Sequence, residues 1–406
     1  MEGETIVCIS TRKWDSLWRS TQQIMSRMAD RNRVIFFEPG RNPDRPLLSE
    51  FIRNFSNHFM LQMHEVQKNL IIVPTPSNLP HGLKRIPRPI LRMSNSVVTG
   101  INDQILVRYI RSVMKRLKIQ NPILWFYDPF SHGLVGKFGE RLSCYHHYDE
   151  IAEFAPNARI KDLVQEIDDK MTCCADVVFA SSSVQAERLR KVNPDTYFLP
   201  NAVDFNLFNR ALTGELPIPS DISSVSRPII GFAGWMGYHI DIPLLQLIAE
   251  AFPESSLVLI GPDQLPEGVN KQRLQAMANV YFLGQKKMAD LPSYLQVFDV
   301  ALMPWLLTGH MRYAYPLKLH EYLSAGRAAV ATALPELQPF SHVVRIAETH
   351  KEFIDHVKEA LADKSQQSIE SRVDVARNNT WDKRVLEIYR VLDLHLIGDE
   401  LRDTYN

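Results

Sequence analysis

Short runs of β-branched and other apolar residues alternate along the chain with longer stretches in which apolar positions recur every three or four residues. This alternation predicts parallel α/β domains, in which strands feed helices that cover both faces of a sheet. In the first half the predicted strands are Thr5–Ile9, Val34–Phe37, Leu70–Val73, Ile123–Phe126, Ser143–Tyr145, Val177–Ala180 and Tyr197–Leu199. Several are apolar without a break, the pattern of strands buried on both faces. The chain turns irregular from Leu212 to Ser220 and regains strand character at Pro228-Ile229-Ile230-Gly231-Phe232, which places the interdomain linker between them. A second series follows: Ile229–Ala233, Leu257–Ile260, Val280–Leu283, Val300–Met303, Ala328–Ala331 and Val343–Ile346. From Thr380 a terminal helix is predicted, with Trp381, Val385, Ile388, Tyr389, Leu392 and Leu396 on one face broad enough to require docking.

A length of 406 residues accommodates two domains of roughly 150 to 220 residues each. The hydrophobic content of 45% and charged content of 23% are those of an ordinary globular protein. A formal net charge of +0 argues against a chain built to neutralise nucleic-acid phosphates. One region departs from that balance. Between His81 and Lys118 the bases Lys84, Arg85, Arg88, Arg92, Arg108, Arg111, Lys115, Arg116 and Lys118 face a single acid, Asp103. Its second half carries Ile105, Leu106, Tyr109, Ile110, Val113, Met114 and Leu117 at helical spacing, so it reads either as a solvated helix face or as a surface for anionic lipid. Cys8, Cys144, Cys173 and Cys174 form no CxxC pair, which fits a reducing cytoplasm. The start MEGETIVCIS does not read as a signal peptide, and no run approaches the roughly 20 apolar residues of a membrane span, so membrane contact is expected to be peripheral, at the inner face.

The most informative stretch is Tyr315-Pro316-Leu317-Lys318-Leu319-His320-Glu321-Tyr322-Leu323-Ser324-Ala325-Gly326-Arg327-Ala328-Ala329-Val330-Ala331-Thr332. Proline suits the first turn of a helix, where its missing N–H would be unpaired anyway. That end presents free amides and a positive dipole, so a diphosphate can sit on Leu317 and Lys318, and Lys318 adds a full charge. Glu321 follows one turn later on the same face, an acceptor-only carboxylate suited to two ribose hydroxyls. The turn Gly231-Phe232-Ala233-Gly234-Trp235-Met236-Gly237 ends the first strand of the second domain, where a backbone free of side chains can approach a phosphate. Ser256-Leu257-Val258-Leu259-Ile260-Gly261-Pro262 and Val280-Tyr281-Phe282-Leu283-Gly284 follow in order.

These blocks, together with Leu199-Pro200-Asn201-Ala202-Val203-Asp204, closely resemble the donor-binding signatures of GT-B glycosyltransferases, particularly the large retaining family 4, from about residue 140 to residue 395. The resemblance implies two Rossmann-like, doubly wound domains facing across a cleft. They would be an N-terminal acceptor-side domain at 1–210, a C-terminal sugar-nucleotide domain at 211–380, and a helix at 381–406 that crosses back onto the first. It implies transfer of a hexose-type sugar from a nucleoside-diphosphate sugar to a glycan or lipid-linked acceptor, with retention, in cell-surface polysaccharide or glycolipid biosynthesis. No metal and no bound cofactor are expected. Gly234, Trp235, Gly237, Pro316, Leu317, Lys318 and Glu321 are the expected donor contacts, and Lys318 is the first candidate to stabilise the departing diphosphate.

The pattern breaks at one point. Family members carry a second glutamate eight positions before the ribose-binding one, near the donor sugar, and Tyr313 stands there. Arg312 and His310 in the same loop are the candidate substitutes. In the first domain Cys144-Tyr145-His146-His147-Tyr148-Asp149-Glu150 follows a strand, and the resemblance makes His147 and Asp149 catalytic candidates, with Arg12 and Asp128 on the acceptor side. Two adjacent histidines without a third ligand at a regular spacing do not make a zinc site. Asp128 and its neighbours also read as turn formers or helix caps. Two rival readings remain: a catalytically inactive partner, suggested by Tyr313, and a sugar-nucleotide epimerase of the same fold, opposed by the single acid between 310 and 321. A dehydrogenase is excluded by Ser10-Thr11-Arg12-Lys13-Trp14, where a G-x-G-x-x-G would have to follow the first strand.

Overall fold

A computed structural model describes residues 1–16, 18–39, 63–76 and 88–397. Lys84 and Arg85 of the basic strip lie outside the described residues. The chain divides into two compact units, one formed by Met1–Pro200 with Arg384 onward, the other by Asn201–Lys383. The division at Pro200/Asn201 falls upstream of the expected linker. Asn201 and Asn209 explain the shift, because their side-chain amides donate to the carbonyls of Tyr315 and Ser324 at 2.7 and 2.9 Å and so tie this segment to the second unit.

In the first unit the strands are β1 (Thr5–Ile9), β2 (Arg33–Glu38), β3 (His64–Gln67), β4 (Leu70–Pro74), β5 (Ile123–Phe126), β6 (Leu142–His147), β7 (Val177–Ala180) and β8 (Thr196–Phe198). Their order in the sheet is β3-β4-β2-β1-β5-β6-β7-β8. Every pairing is parallel except β3 with β4, where a polar, exposed edge strand runs antiparallel. Ile35, Phe37, Leu124, Phe126 and Val178 from the strands pack with Ile110 and Val113 of the Arg88–Leu117 helix in one core. The terminal helix Trp381–Leu396 contributes Ile388, Tyr389 and Leu392, all buried. The Tyr389 hydroxyl accepts from Asn32 at 3.1 Å, and Arg384 donates to the Pro200 carbonyl at 3.1 Å.

The second unit holds β9 (Ile229–Ala233), β10 (Ser256–Ile260), β11 (Val280–Gly284), β12 (Val300–Met303), β13 (Ala328–Thr332) and β14 (Val344–Ala347), in the order β11-β10-β9-β12-β13-β14. All its pairings are parallel. This is the doubly wound order whose direction reverses between the first and fourth strands, the place where such sheets bind ligands beyond their carboxyl ends. Ile229–Ala233, Ser256–Ile260 and Val300–Met303 are buried throughout, so the sheet needs helices on both faces.

Candidate active site

The site in the second unit is assembled at the carboxyl ends of β9, β10 and β12. After β9 the chain turns through Gly234, whose amide donates to the Ile260 carbonyl at 2.8 Å, while Met236 N–H donates to Pro262. Gly261, at φ +143°, faces this turn so closely that a Cβ would lie 1.7 Å from the Gly234 carbonyl oxygen. The two glycine turns therefore fit backbone against backbone, and the Gly234 N–H, occupied by β10, is not free for a phosphate. Gly237 is enclosed by the Trp235 indole, 2.6 Å from where its Cβ would be.

The Leu317–Ser324 helix opens beside them. Pro316 occupies the N-cap, extended at φ −76° and ψ 123°, one position earlier than the sequence suggested, and no side chain caps the end. The first-turn amides thus keep the anion-receptive character of an open helix start. Lys318 Nζ meets Glu321 Oε2 at 2.6 Å, with both side chains mostly buried. The other face of the helix is locked. His320, fully buried, pairs with the Tyr315 hydroxyl at 2.8 Å, and the Tyr322 hydroxyl accepts from Ala233 N–H at 2.9 Å. At its end Gly326 adopts φ +68° and packs 2.8 to 3.0 Å from Leu212 and Ile369 at the position a Cβ would take. Lys318 and Glu321 are consequently presented on a rigid frame.

In the loops after β9 and β12 stands an aromatic set that the motifs did not single out as a group. Trp235 lies 4.8 Å from His239, Tyr238 lies 5.5 Å from His310, and His239 lies 6.2 Å from His310. The Tyr238 hydroxyl is 3.3 Å from His310 Nδ1, and Trp235 donates to Gln264 at 2.8 Å. Arg312 is exposed on the Gly309–Tyr313 turn and anchors its Nε on the Leu307 carbonyl at 3.0 Å. The signal available in the sequence was the enrichment of aromatic and histidine residues in two loops that both follow strands.

In the first unit two groups gather at the carboxyl ends of β1, β5 and β6. Arg12 stands over the Tyr148 ring at 5.9 Å, and the Tyr148 hydroxyl is 3.0 Å from Thr11 Oγ1. Burial and the neighbouring Arg12 charge lower the pKa of Arg19, while Asp149 acts the other way. Asp128 caps the following turn by accepting from Phe130 N–H at 3.1 Å, the cap reading of this residue. Burial pushes its carboxyl up to about 6, and Asp103, also raised to about 6 by burial, feels the Asp128 charge.

His147, a catalytic candidate by the resemblance, is buried at the end of β6. Its side chain is 1% exposed, and Nε2 lies 3.3 Å from Asp168. Asp168 also accepts from the Tyr145 hydroxyl at 2.6 Å and from Arg188 at 2.7 Å, and Arg188 reaches Glu150 at 3.5 Å. Burial alone would lower the His147 pKa, but the charges of Asp168 and Glu150 outweigh it and raise it. Against the same burial, His147 and Arg188 hold the Asp168 carboxyl far below the usual carboxylate range. The ligand atoms of His147, Glu150 and Asp168 lie within 4.8 Å of one another, a spacing open to a metal ion, but the Arg188 guanidinium already pairs with both carboxylates. Among the described residues this network is an internal ion pair that orders the stretch bearing Tyr148 and Asp149.

Known proteins resemble this chain in sequence and in fold. Residues 227–364 match the family model of glycosyl transferases group 1. TuaH of Bacillus subtilis (strain 168), named as a teichuronic acid biosynthesis glycosyltransferase, is 24% identical over 219 residues, 53% of this chain and 54% of the relative. The match thus spans about half the length of that curated relative. Among solved structures, sucrose-phosphate synthase from Thermosynechococcus elongatus superposes with a TM-score of 0.68 at 16% identity, covering 98% of this chain and 100% of the other. An α,α-trehalose-phosphate synthase (UDP-forming) from Burkholderia vietnamiensis gives 0.68 at 13% identity over 96% of each chain. Anabaena HepE in complex with UDP gives 0.64 at 12% identity over 96% and 99%.

Proposed function

Starting from a chain of GT-B fold whose residues 227–364 form a glycosyl transferases group 1 domain, we propose that the protein transfers a hexose-type sugar from a nucleoside-diphosphate sugar to a glycan or lipid-linked acceptor, with retention, in cell-surface polysaccharide or glycolipid biosynthesis. The observation that carries this reading is the uncapped start of the Leu317–Ser324 helix with Lys318 and Glu321 on one face, 2.6 Å apart. The diphosphate sits on the Leu317 and Lys318 amides, and the Lys318 ammonium stabilises the charge that builds on the leaving group. Glu321 releases Lys318 in part and accepts the ribose hydroxyls. Positive charge from the lysine and the helix end does the work that a metal does elsewhere, so the reaction needs no added metal. Gly234 and Gly237 shape the turn beside the phosphates, and Trp235 bounds it. Arg312 contacts the donor sugar in place of the glutamate that Tyr313 replaces.

On the acceptor side, Arg12 and Arg19 offer paired positive charge at the end of β1 and Asp149 the adjacent carboxylate. Asp128 shapes the turn beside them, and the buried His147 acts by positioning. The UDP named for two structural relatives makes a UDP-sugar the first donor to test. No helix among the described residues is long and apolar enough to cross a membrane. Arg108, Arg111, Lys115, Arg116 and Lys118 are all exposed on one helix and the turn after it, and they suit contact with an anionic lipid surface from the cytoplasmic side.

Tyr313 favours one second reading, a binding protein without catalysis. Thermal shift with UDP-, GDP-, ADP- and dTDP-sugars in metal-free buffer, with Glu321→Ala in parallel, separates these readings when followed by product analysis. A nucleotide-selective shift that vanishes in the variant supports the donor site. Sugar transfer to an added acceptor then excludes both the inactive partner and an epimerase, and no shift with any donor overturns the reading.

A further inference from the structure

The loop that joins β1 to the Ser20–Met28 helix is held in one shape by side chains spent within it. Gln22, 0% exposed, reaches back with Nε2 to the Lys13 carbonyl at 3.2 Å and to Ser16 Oγ at 3.1 Å. The Ser10 hydroxyl accepts from Arg12 N–H at 3.0 Å and donates to the Arg12 carbonyl at 2.9 Å. From β2, Glu38 accepts from Trp14 N–H at 2.8 Å. Arg12 is thus carried on a fixed backbone.

Its guanidinium is not spent in the same way. Arg12 stands over the Tyr148 ring at 5.9 Å, and its buried Nε has no hydrogen-bond partner. The ring is itself fixed, with its hydroxyl 3.0 Å from Thr11 Oγ1. Arg19 occupies the N-cap of the nine-residue Ser20–Met28 helix, whose first turn holds no acid. Among the described residues neither Arg12 nor Arg19 is ion-paired to a carboxylate. The two nevertheless feel each other: burial first and then the Arg12 charge lower the pKa of Arg19, and Asp149 is the opposing charge. Two guanidiniums are therefore held near one another against their repulsion, beside a helix start that favours negative charge. Two planar forks and a helix start offer more donors than the two oxygens of a carboxylate accept, and they suit the three oxygens of a phosphate ester. Asp149 and the Tyr148 hydroxyl at the same end of the sheet suit the hydroxyls of an attached sugar.

We propose that Arg12 and Arg19 seat the phosphate of a glycosyl phosphate, which makes the acceptor of this enzyme a phosphorylated sugar rather than a neutral glycan. The word acceptor rests on the transferase reading, while the seat itself lies within the first unit. Isothermal titration of the full chain with glucose 1-phosphate and with N-acetylglucosamine 1-phosphate, at neutral pH and matched ionic strength, tests it, with inorganic phosphate and glucuronate as comparison ligands. The expected result is a saturable site for at least one ester that Arg12→Gln and Arg19→Gln each weaken about tenfold or more, Arg12→Lys weakens less, and Lys318→Ala leaves in place. Arg12→Gln keeps the stem over Tyr148 and removes only the charge, so its melting temperature should match wild type. Arg12→Lys keeps the charge without the fork and gives an independent reading. Absence of saturable binding of both esters up to roughly 10 mM overturns the proposal, as does binding at full strength in both glutamine variants. Inorganic phosphate or glucuronate binding as tightly as the esters overturns it too, and so does loss in Lys318→Ala but not in Arg12→Gln, which places the ester at the donor helix. UDP, titrated into wild type and Lys318→Ala, reports on the donor site separately. UDP binding without ester binding sinks this proposal and leaves the transferase reading standing, whereas ester binding through Arg12 without UDP binding sinks the transferase reading and with it the acceptor role.

Discussion

The Tyr322 hydroxyl takes the place of a strand at the end of β9: it accepts from Ala233 N–H at 2.9 Å and sits 3.4 Å from the Ala233 carbonyl oxygen. β12 pairs with β9 only through Ile230 and Gly231, so the outward-facing backbone of Ala233 has no strand partner on that side. The phenol is fully buried, and burial raises its pKa well beyond any working pH, which keeps the proton it donates. Tyr322→Phe leaves a buried backbone donor unpaired and is expected to cost about 1–3 kcal/mol in urea denaturation. It also loosens the helix that holds Lys318 and Glu321 relative to the β9 turn, so donor affinity measured by thermal shift should fall together with stability.

Lys318 and Glu321 should behave in the opposite way. An ion pair one turn apart within a single helix contributes about 0.2–0.5 kcal/mol to stability. Lys318→Ala is therefore expected to fold with a nearly unchanged denaturation midpoint while turnover drops about 10²–10³-fold, as for other groups that stabilise charge formed in the transition state. Glu321→Ala should instead raise the KM for the donor. Steady-state kinetics on the two variants separate the roles.

Arg312 is exposed and held by one backbone contact at 3.0 Å. Arg312→Ala is expected to alter the melting temperature little and to lower kcat/KM by at least about tenfold, a loss of ~1.4 kcal/mol in transition-state stabilisation. If turnover stays at wild-type level, Arg312 does not hold the sugar.

The buried network around Asp168 predicts a defined pH window. The folded pKa of Asp168 is depressed from 3.8, so its contribution is complete above that value and is lost as the pH falls through the folded pKa. The folded pKa of His147 is raised from 6.5, so its contribution is complete below that value and is lost as the pH rises through the folded pKa. The network stabilises most between these limits. Asp168→Ala, which strands the buried His147 and leaves Arg188 to Glu150 and Asp169, should cost about 3–5 kcal/mol near pH 6 and less on either side. Denaturation midpoints of wild type and variant across pH 3 to 9, roughly the span covered by these ordinary carboxylate and imidazole values, check the sign on each flank.

Gly261 allows a backbone test. At φ +143° and with a Cβ position 1.7 Å from the Gly234 carbonyl, Gly261→Ala must displace one of two strand-end turns. A loss of at least about 3 kcal/mol is expected, or failure to accumulate folded protein. Gly3→Ala, also at positive φ but with open space around its Cβ position, should cost roughly 1–2 kcal/mol.

Periodicity revealed most of the fold because buried parallel strands must be apolar on both faces, and each predicted strand is present within a residue or two. β3 escaped because His64-Glu65-Val66-Gln67 is an exposed edge strand with no apolar alternation to betray it. Asp168 and Arg188 escaped for the converse reason: charged residues on amphipathic helices read as solvent-facing, and only the tertiary fold shows that these two meet over His147. The Lys318–Glu321 pair was legible because it is local, the two residues lying a single turn apart. The aromatic set of Trp235, Tyr238, His239 and His310 was not, because it joins two loops about 70 residues apart and the sequence does not say that β9 and β12 are neighbours.

The terminal helix has a further consequence for the order in which the protein is made. Tyr389 reaches Asn32, and His395 lies 3.2 Å from the Tyr197 hydroxyl, so the first unit is completed by residues that follow all of the second. A ribosome delivers Asn201–Lys383 in full before it delivers the helix that seals the opening domain. Completion of the leading unit therefore waits for residues made after the second, whatever part of it folds earlier. Until that helix is made, the first unit lacks the cover that Ile388, Tyr389 and Leu392 give it.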